Sequence, residues 1–513
     1  MRNKKLMRFA ALSLALVMVT GSLAGCGKTS DKSGDTSNEN ANITMMTFDF
    51  EGSPVSGAHS EEVKKKMEEY TNTKVDFTWV PSDNYEDKLS LTLASGNDMP
   101  MIIAVGSMTA AITSAAEAGA FWNLNDYMFD STKYPNLSQA NENVNKSLTV
   151  NGELIGVYRA RPIGRNGMGY RADWAEKLGL LEPKTIEDVY NMMYQFTYGD
   201  PDGNGIDDTY GLALSKYTGP FDIIQTWFGA GNGWVEQNGE LVPVHQTEEY
   251  LEAVKWLKKM YDDGLVYEDW AVRDTATWAD SVKNGECGMY IDVLDGSRRI
   301  WDYFVTNNIP SVVNPEETAA MKLIGTINDR TLATSGYNGF FVITKAADTE
   351  EKLAACLNFL DKMCDDEMIL LSSYGLEGIH WEVGENGFLV DLDKEDAVAS
   401  KAYAALNQTV AYIPNAAAKS ITVELTERNI IEEEVKANNV QYAVFNPALS
   451  YLVNSPTYSL SGSTLDQLLN DARTQYICGQ IDEAGLRSAW DNWAKQGGSS
   501  VITEVNEQYK ASK

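Results

Sequence analysis

Histidine is scarce in this chain of 513 residues, which contains only His59, His245 and His380. None stands in an H-E-x-x-H pair, so a metalloprotease helix of that kind is excluded. No G-x-S-x-G segment is present, which removes the nucleophile elbow of the serine hydrolases. Gly27-Lys28-Thr29 ends like a phosphate-binding loop, but the upstream glycine lies one position too far away. Basic residues are outnumbered 42 to 73, leaving a formal charge of −31. That balance argues against a nucleic-acid partner, which needs basic stripes, and against an electrostatic grip on anionic lipid. Cysteine is limited to Cys26, Cys287, Cys356, Cys364 and Cys478. Their spacing suggests neither a zinc site nor a disulfide scaffold. Cys356 and Cys364 stand eight apart in a helical pattern, two turns from each other, so buried free thiols are expected. After residue 25 no apolar run is long enough to span a bilayer, and the stretch Met99 to Gly106 is short and broken by Pro100. Acidic residues are too numerous for any carboxylate pair to mark a glycosidase by itself.

What is present begins at the N-terminus. Arg2, Lys4, Lys5 and Arg8 precede an apolar run from Phe9 to Gly25, the plan of a secretory signal over residues 1–25. Its ending, Leu23-Ala24-Gly25-Cys26, resembles the lipobox of bacterial lipoproteins. The resemblance implies cleavage before Cys26 and diacylglycerol on its thiol; the plainer alternatives are an ordinary signal peptide or an uncleaved anchor. Cleavage would remove four basic and no acidic residues, taking the charge from −31 to −35. Residues 26–42 read as a flexible tether, small and polar with no large apolar side chain from Lys28 to Asn42.

The rest is too long for one core, so two or more domains are expected. Ile43–Phe50, Lys74–Val80 and Met101–Val105 read as strands. Each is followed by a helix: one N-capped by Ser60, one opened by an Asp83–Glu86 capping box, and one Ala-rich to about Glu117. This alternation predicts a parallel sheet with crossover helices. Asn151-Gly152 predicts a hairpin. Thr185-Ile-Glu-Asp188 caps a helix with Val189, Met192, Met193 and Phe196 on its apolar side, and helical periodicity recurs over Glu248–Asp262 and Glu350–Met363. The end is predicted as three helices, Thr464–Cys478, Asp482–Lys495 and Ser499–Ala511, with Gly479 and Gly497-Gly498 as stops.

Asp200-Pro-Asp202-Gly-Asn204-Gly205-Ile206-Asp207-Asp208 places oxygen donors at positions 1, 3, 5 and 9, with glycine at 6 and a carbonyl at 7. That is the spacing of a calcium loop, because a hard cation needs many oxygens and a tight bend. Position 12 is Gly211 rather than Glu, so the bidentate ligand is missing or comes from elsewhere. An acidic turn without metal is the plain alternative; bound calcium would be structural, held by Asp200, Asp202, Asn204, the Ile206 carbonyl and Asp208. Aromatic residues beside glycines stand out at Trp227 and Trp234, at Tyr337-Asn338-Gly339, and at Tyr374 to Trp381. Glycine-rich segments are poor places to bury rings, so several of these are expected to line a cleft and stack on sugar faces.

From residue 43 onward the chain resembles the extracellular solute-binding proteins of carbohydrate-uptake ABC transporters, in the large lipoprotein subgroup that includes alginate- and oligosaccharide-binding proteins. The carrying residues are Arg171-Ala-Asp173-Trp174…Lys177-Leu-Gly179, Pro183-Lys-Thr185, Asp200 to Leu212, Tyr374 to Trp381, and Gly479-Gln-Ile-Asp482…Trp493…Gly497-Gly498…Glu504-Val-Asn506. The resemblance implies an α/β, two-lobed periplasmic-binding-protein-like fold with a hinge, a ligand cleft between the lobes and a helical C-terminal region. The expected plan is first lobe 43–160, second lobe 161–328 with the calcium loop at 200–211, a return to the first lobe over 329–390, and completion of the second over 391–513. It also implies calcium at the Asp200 loop, although many relatives carry Glu where this chain has Thr209. The function implied is capture of an oligosaccharide by a surface-tethered monomer and delivery to ABC permease subunits, without catalysis. The membrane would be touched only through the lipid anchor on the outer face. Trp227, Trp234, Trp270, Tyr337 and Trp381 are the expected stacking faces, and Asp83, Arg171, Asn338 and Glu377 the polar partners. The alternatives are an exported polysaccharide hydrolase or lyase, a sensor component without a sugar ligand, and a binder of a non-sugar solute such as a peptide.

Overall fold

The computed structural model describes residues 41–49, 54–96, 98–392, 398–414 and 420–513. The signal segment, Cys26 and nearly all of the tether lie outside the described residues.

Five strands form the first sheet, in the spatial order Thr73–Pro81, Ala41–Asp49, Ile102–Val105, Tyr337–Ile343, Val157–Ala160. The first three run parallel, and Tyr337–Ile343 is antiparallel to both of its neighbours. Central parallel strands are buried on both faces and read as continuous apolar runs rather than alternations, as Ile102, Ile103, Ala104 and Val105 do. Helices Ser60–Thr71, Tyr85–Ser95 and Ala110–Glu117 follow the three parallel strands, as expected.

Two helix starts differ from expectation. Ser60 is the first helical residue rather than the cap; His59 before it takes φ 63° and makes no capping bond. No capping box forms at Asp83–Glu86, where a short 3-10 turn leads directly into Tyr85–Ser95. Burial sets that start instead. The Tyr85 ring is fully buried, stacks on Phe48 at 3.7 Å, and donates its hydroxyl to the Ala104 carbonyl at 2.6 Å.

The second sheet has the order Met321–Ile324, Asn166–Arg171, Cys287–Val293, Tyr210–Leu212. Helix Ile186–Tyr198 packs against it with Val189, Met192, Met193 and Phe196 inward, and the expected capping box joins Thr185 and Asp188. The C-terminal helices are Pro456–Ile477, Glu483–Trp493 and Ser499–Ala511. The first begins eight residues earlier than expected, because Ser455 caps it by accepting from the Tyr458 amide and Pro456 fits the first turn. Gly479 ends that helix at φ 70°, whereas only Gly497 of the later pair breaks the helix. These helices close a small core with the second lobe, around Trp234, Leu241, Leu465, Trp493 and Val505.

The first lobe's share of the chain is longer than expected. Ala402, Tyr403, Leu406, Val410 and Ile413 pack into the core of the first sheet. The return therefore runs to residue 413 instead of ending at 390. Cys287, Cys356 and Cys364 are buried free thiols and Cys478 is half-buried; burial pushes the first three up to about 12. No helix of the described residues is long and apolar enough to cross a membrane.

Candidate binding cleft

Two short passages carry the chain between the sheets and hold each other. The first, residues 161–165, leaves strand Val157–Ala160 and enters Asn166–Arg171. The second, residues 333–336, returns from Thr331–Leu332 to Tyr337–Ile343. Arg161 donates its amide to the Gly336 carbonyl at 2.8 Å, and Thr334 donates to the Ile163 carbonyl at 3.1 Å. Further along the chain, helix Glu427–Asn439 is ion-paired to helix Leu294–Thr306 of the second lobe through Arg428–Asp302 and Arg298–Glu432. Fully buried Asn439 ties this helix to the first passage, donating to the carbonyls of Gly164 at 2.8 Å and Asn166 at 3.0 Å. Gly164 is required by this close approach: a Cβ there would lie 2.4 Å from the Lys436 carbonyl oxygen. Short passages between two sheets, tied to each other by backbone hydrogen bonds, are the construction of a hinge.

The passages leave and enter at one edge of each sheet, and those edges form the facing walls of the cleft. On the first lobe this edge carries Asp49 and Asp83, at the ends of parallel strands, and Tyr337 and Asn338, at the start of an antiparallel one. Ligands of open α/β sheets bind at such carboxyl ends. On the second lobe the edge carries Asn166, Asp292 and Val293, with Asn166 registered against Val293. Asp295, one turn further on, accepts a two-point bond from Arg165 at 2.7 and 2.9 Å and a third from Arg299 at 2.7 Å. Although burial acts upward on Asp295, the two guanidiniums hold its carboxyl below the usual range. Asp292 lacks such a clamp, and burial pushes it up to about 6. Beside it, Tyr217 remains 46% exposed, the first of an aromatic series with Trp278 at 5.8 Å and Tyr290 a further 4.4 Å on. Arg161 lies over the Tyr412 ring, 5.7 Å from its centroid, where the hinge meets the cleft. The wall thus offers a half-exposed ring, carboxylates and guanidiniums, suited to a polar solute with flat apolar faces.

Of the residues expected to bind ligand, Asp83, Tyr337 and Asn338 lie on this edge. Trp227 and Trp270 do not: they are 1% and 0% exposed in the second-lobe core, Trp270 edge-on to Phe221 at 5.1 Å. Helix Gly219–Trp227 carries Trp227 inward before the glycines begin, so the adjoining glycines say nothing of its environment. Arg171 sits at the wrong end of its strand, about 17 Å from the cleft edge at the usual rise per residue. There it is buried, bonded to Asp173 at 2.7 and 2.8 Å and set against Trp174 and Phe304. Glu377 and Trp381 line an outer groove of the first lobe with Lys66 and Tyr70, and the buried Trp381 indole donates to the Gly375 carbonyl. Trp234 faces a separate cavity of the second lobe. Sequence reading did not single out Arg161, Arg165, Tyr217, Asp292, Asp295 or Tyr412. Arg161, Arg165 and Asp292 stand at or next to strand ends, and no unusual local composition marks any of the six.

The Asp200 loop is an exposed turn that follows helix Ile186–Tyr198. Gly203 and Gly205 take φ near +80° there. The Asn204 amide donates to Asp202 at 2.7 Å and to Asp208 at 3.2 Å, and the Gly205 amide donates to Asp200 at 3.3 Å. The Gly205 amide foremost, with the Asp202 side chain, the Gly203 amide and the charge of Lys177, holds Asp200 below the usual carboxylate range. Gly211 is buried against Met193, so no ligand comes from position 12. Among the described residues no group of three Asp, Glu, His or Cys side chains is arranged to hold a metal.

Comparison with known proteins agrees with this architecture. The family described as bacterial extracellular solute-binding protein matches residues 54–360. The chain is 36% identical to lipoprotein LipO of Bacillus subtilis over 521 residues, with 99% of each chain covered. It is 29% identical to the polygalacturonan/rhamnogalacturonan-binding protein YtcQ of the same organism, again over 99% of each. Among solved structures, an HMO-binding, ABC-transporter-associated solute-binding protein from Bifidobacterium longum infantis superposes with a TM-score of 0.63 at 16% identity, covering 92% of this chain and 98% of its own. With a family match over more than half its length and a hinge-joined pair of sheets facing across a polar cleft, this chain belongs to the bacterial extracellular solute-binding proteins.

Proposed function

We propose that this protein captures an oligosaccharide in the cleft and hands it to the permease of an ABC importer, without transforming it. The observation that supports this most is the second-lobe wall. Half-exposed Tyr217 stands next to Asp292 and the doubly clamped Asp295, a flat ring beside directional hydrogen-bonding groups. The relative YtcQ, named for binding polygalacturonan and rhamnogalacturonan, makes pectin-derived oligosaccharides the first ligands to try. Closure of the hinge would bring Asp49, Asp83, Tyr337 and Asn338 against the other face of the sugar and exclude water. Anchored through Cys26 on the outer face of the membrane, a monomer would be held close to its permease, which raises its effective concentration there.

Calcium belongs to the same proposal. The donors of the Asp200 loop are all oxygen ligands, and the Asn204 amide group, polarised positive, already lies between Asp202 and Asp208. Asp200, Asp202, the Asn204 side-chain oxygen, the Ile206 carbonyl and Asp208 would hold the ion, which would brace the loop and supply no chemistry to the ligand. Titration calorimetry against oligogalacturonides, neutral glycans and peptides tests the binding role. Saturable, stoichiometric binding of a glycan with no product after prolonged incubation is expected. Glycan cleavage, or binding of peptides alone, would overturn it.

A further inference from the structure

Where the first sheet meets the hinge, Arg159 and Arg161 stand together without a carboxylate. Tyr158 is registered against Phe340, and Phe340 against Val105, the last residue of a parallel strand. The two arginines that follow Tyr158 therefore lie at the carboxyl edge of the sheet, the edge that faces the cleft. Arg159 is 7% exposed and donates to two main-chain carbonyls, from Nε to Val410 at 3.4 Å and from Nη2 to Asn407 at 3.0 Å. Among the described residues its Nη1 meets no acceptor, and that atom, unlike Arg473 Nε, is not sealed from solvent. Half-buried Arg161 donates from Nη1 to the Ala160 carbonyl at 2.8 Å. Its guanidinium lies over Tyr412, a residue held at φ 58°, where bulky side chains are rare. Burial pushes the Tyr412 hydroxyl up, and the charges of Arg159 and Arg161 both act against that rise, so the two guanidiniums converge on one ring.

Acids outnumber bases 73 to 42 in this chain, so carboxylates are in ample supply. Among the described residues every other arginine except the exposed Arg330 takes part in an ion pair. Burial first, and then the charge of Arg161, bring Arg159 down to about 10. It is still charged at neutral pH, and its neighbour repels it. The opposite wall does not supply the missing anion, because Asp295 is already clamped by Arg165 and Arg299. A sugar hydroxyl could accept hydrogen bonds from the pair but would leave the repulsion in place. A planar carboxylate accepts from a guanidinium at two points and cancels charge as well.

We propose that Arg159 and Arg161 form a carboxylate-reading subsite of the cleft, and that the captured oligosaccharide contains a uronic acid ring. This rests on the oligosaccharide reading of the cleft and adds the charged group and the side chains that receive it. Calorimetry on the intact protein with trigalacturonate, trimannuronate and a glucuronic-acid-substituted xylotriose, each beside its methyl ester and beside neutral trisaccharides, tests it. At least one acid is expected to bind with unit stoichiometry and about ten- to a hundredfold more tightly than its ester. Arg161→Gln should cut that preference to about threefold or less while the affinity for the ester holds. Arg161→Lys should restore part of it, since charge returns without the two-point bond, and Arg330→Gln should leave it intact. The acid–ester comparison needs no variant, so it decides even if Arg161→Gln fails to fold. Ester bound as tightly as acid, a preference that survives Arg161→Gln, or a neutral glycan bound where no acid binds would overturn this proposal and leave the oligosaccharide reading standing. Binding of no glycan at all would overturn both.

Discussion

Asp292→Asn should make this protein more stable at neutral pH, by an amount that disappears in acid. The carboxyl ends a buried strand in the cleft wall, and burial, assisted by the neighbouring charge of Asp295, lifts it from 3.8 to about 6. The Val293 amide and the Arg165 and Arg299 guanidiniums oppose that rise without cancelling it. Between those two values the folded state binds the extra proton, so stability falls as pH rises through the window. A shift of this size corresponds to at most roughly 3 kcal/mol. Residual solvent contact of the side chain reduces the expected gain to about 1–2 kcal/mol. An amide carries no charge to bury, so the variant escapes the loss. Urea unfolding of wild type and variant at several values between about pH 4 and about pH 7.5 measures the difference, with contributions common to both proteins cancelling. The difference should be near zero at the acid end and grow to its full value above pH 6. A difference that stays constant with pH, or a variant less stable than wild type at neutral pH, would refute the assignment of a burial-strained carboxyl to this position.

Tyr217→Ala should leave unfolding within about 0.5 kcal/mol of wild type, as half-exposed sites do, while weakening glycan binding about five- to thirtyfold by calorimetry. Trp227→Ala should do the reverse: a loss of about 3–5 kcal/mol in urea unfolding for a fully buried indole, with the remaining folded protein binding glycan normally. Asn439→Ala should cost about 2–4 kcal/mol, because two buried carbonyls of the hinge lose their donor and a cavity opens; a change under 0.5 kcal/mol in urea would show that the hinge does not depend on it. Chelation should lower the melting temperature if the Asp200 loop holds calcium, and Asp202→Asn should remove that sensitivity to chelator. Acid should also act through His245, whose pKa burial lowers to about 4. Its contribution is present above about 6.5 and is lost as pH falls toward 4, so His245→Gln should flatten that part of the stability profile.

Much of the fold was legible because its signals are local. The strand–helix alternation over residues 43–117, the Thr185–Asp188 capping box and the Asn151-Gly152 turn each depend on neighbours in sequence. The structure has all three, the turn with φ 50° at Asn151 and 84° at Gly152. Helix starts misread at Ser60 and Asp83 show where that logic stops: burial of Tyr85 outweighed the capping pattern beside it. The early start of Pro456–Ile477 was hidden by a Thr-Tyr-Ser-Leu-Ser-Gly stretch with no apolar period, which becomes helical through the Ser455 cap.

The binding site was less legible, and for a physical reason. Composition and the charge of −31 argue against a nucleic-acid partner, and the order of motifs along the chain carries the resemblance to hinged, two-lobed binders. Whether a particular ring is core or cleft was settled only by tertiary packing. Trp227 and Tyr217 are ten residues apart on one segment, yet the indole points into the core and the phenol stands at the cleft edge. The end of a strand at which a residue falls also depends on strand direction. This sends Arg171 away from the cleft and brings Asp292, on the antiparallel neighbour, to its wall. Sequence neighbours determine local conformation, but the surroundings of a side chain come from segments hundreds of residues away, as Arg165 meets Asp295 and Gly164 meets Asn439.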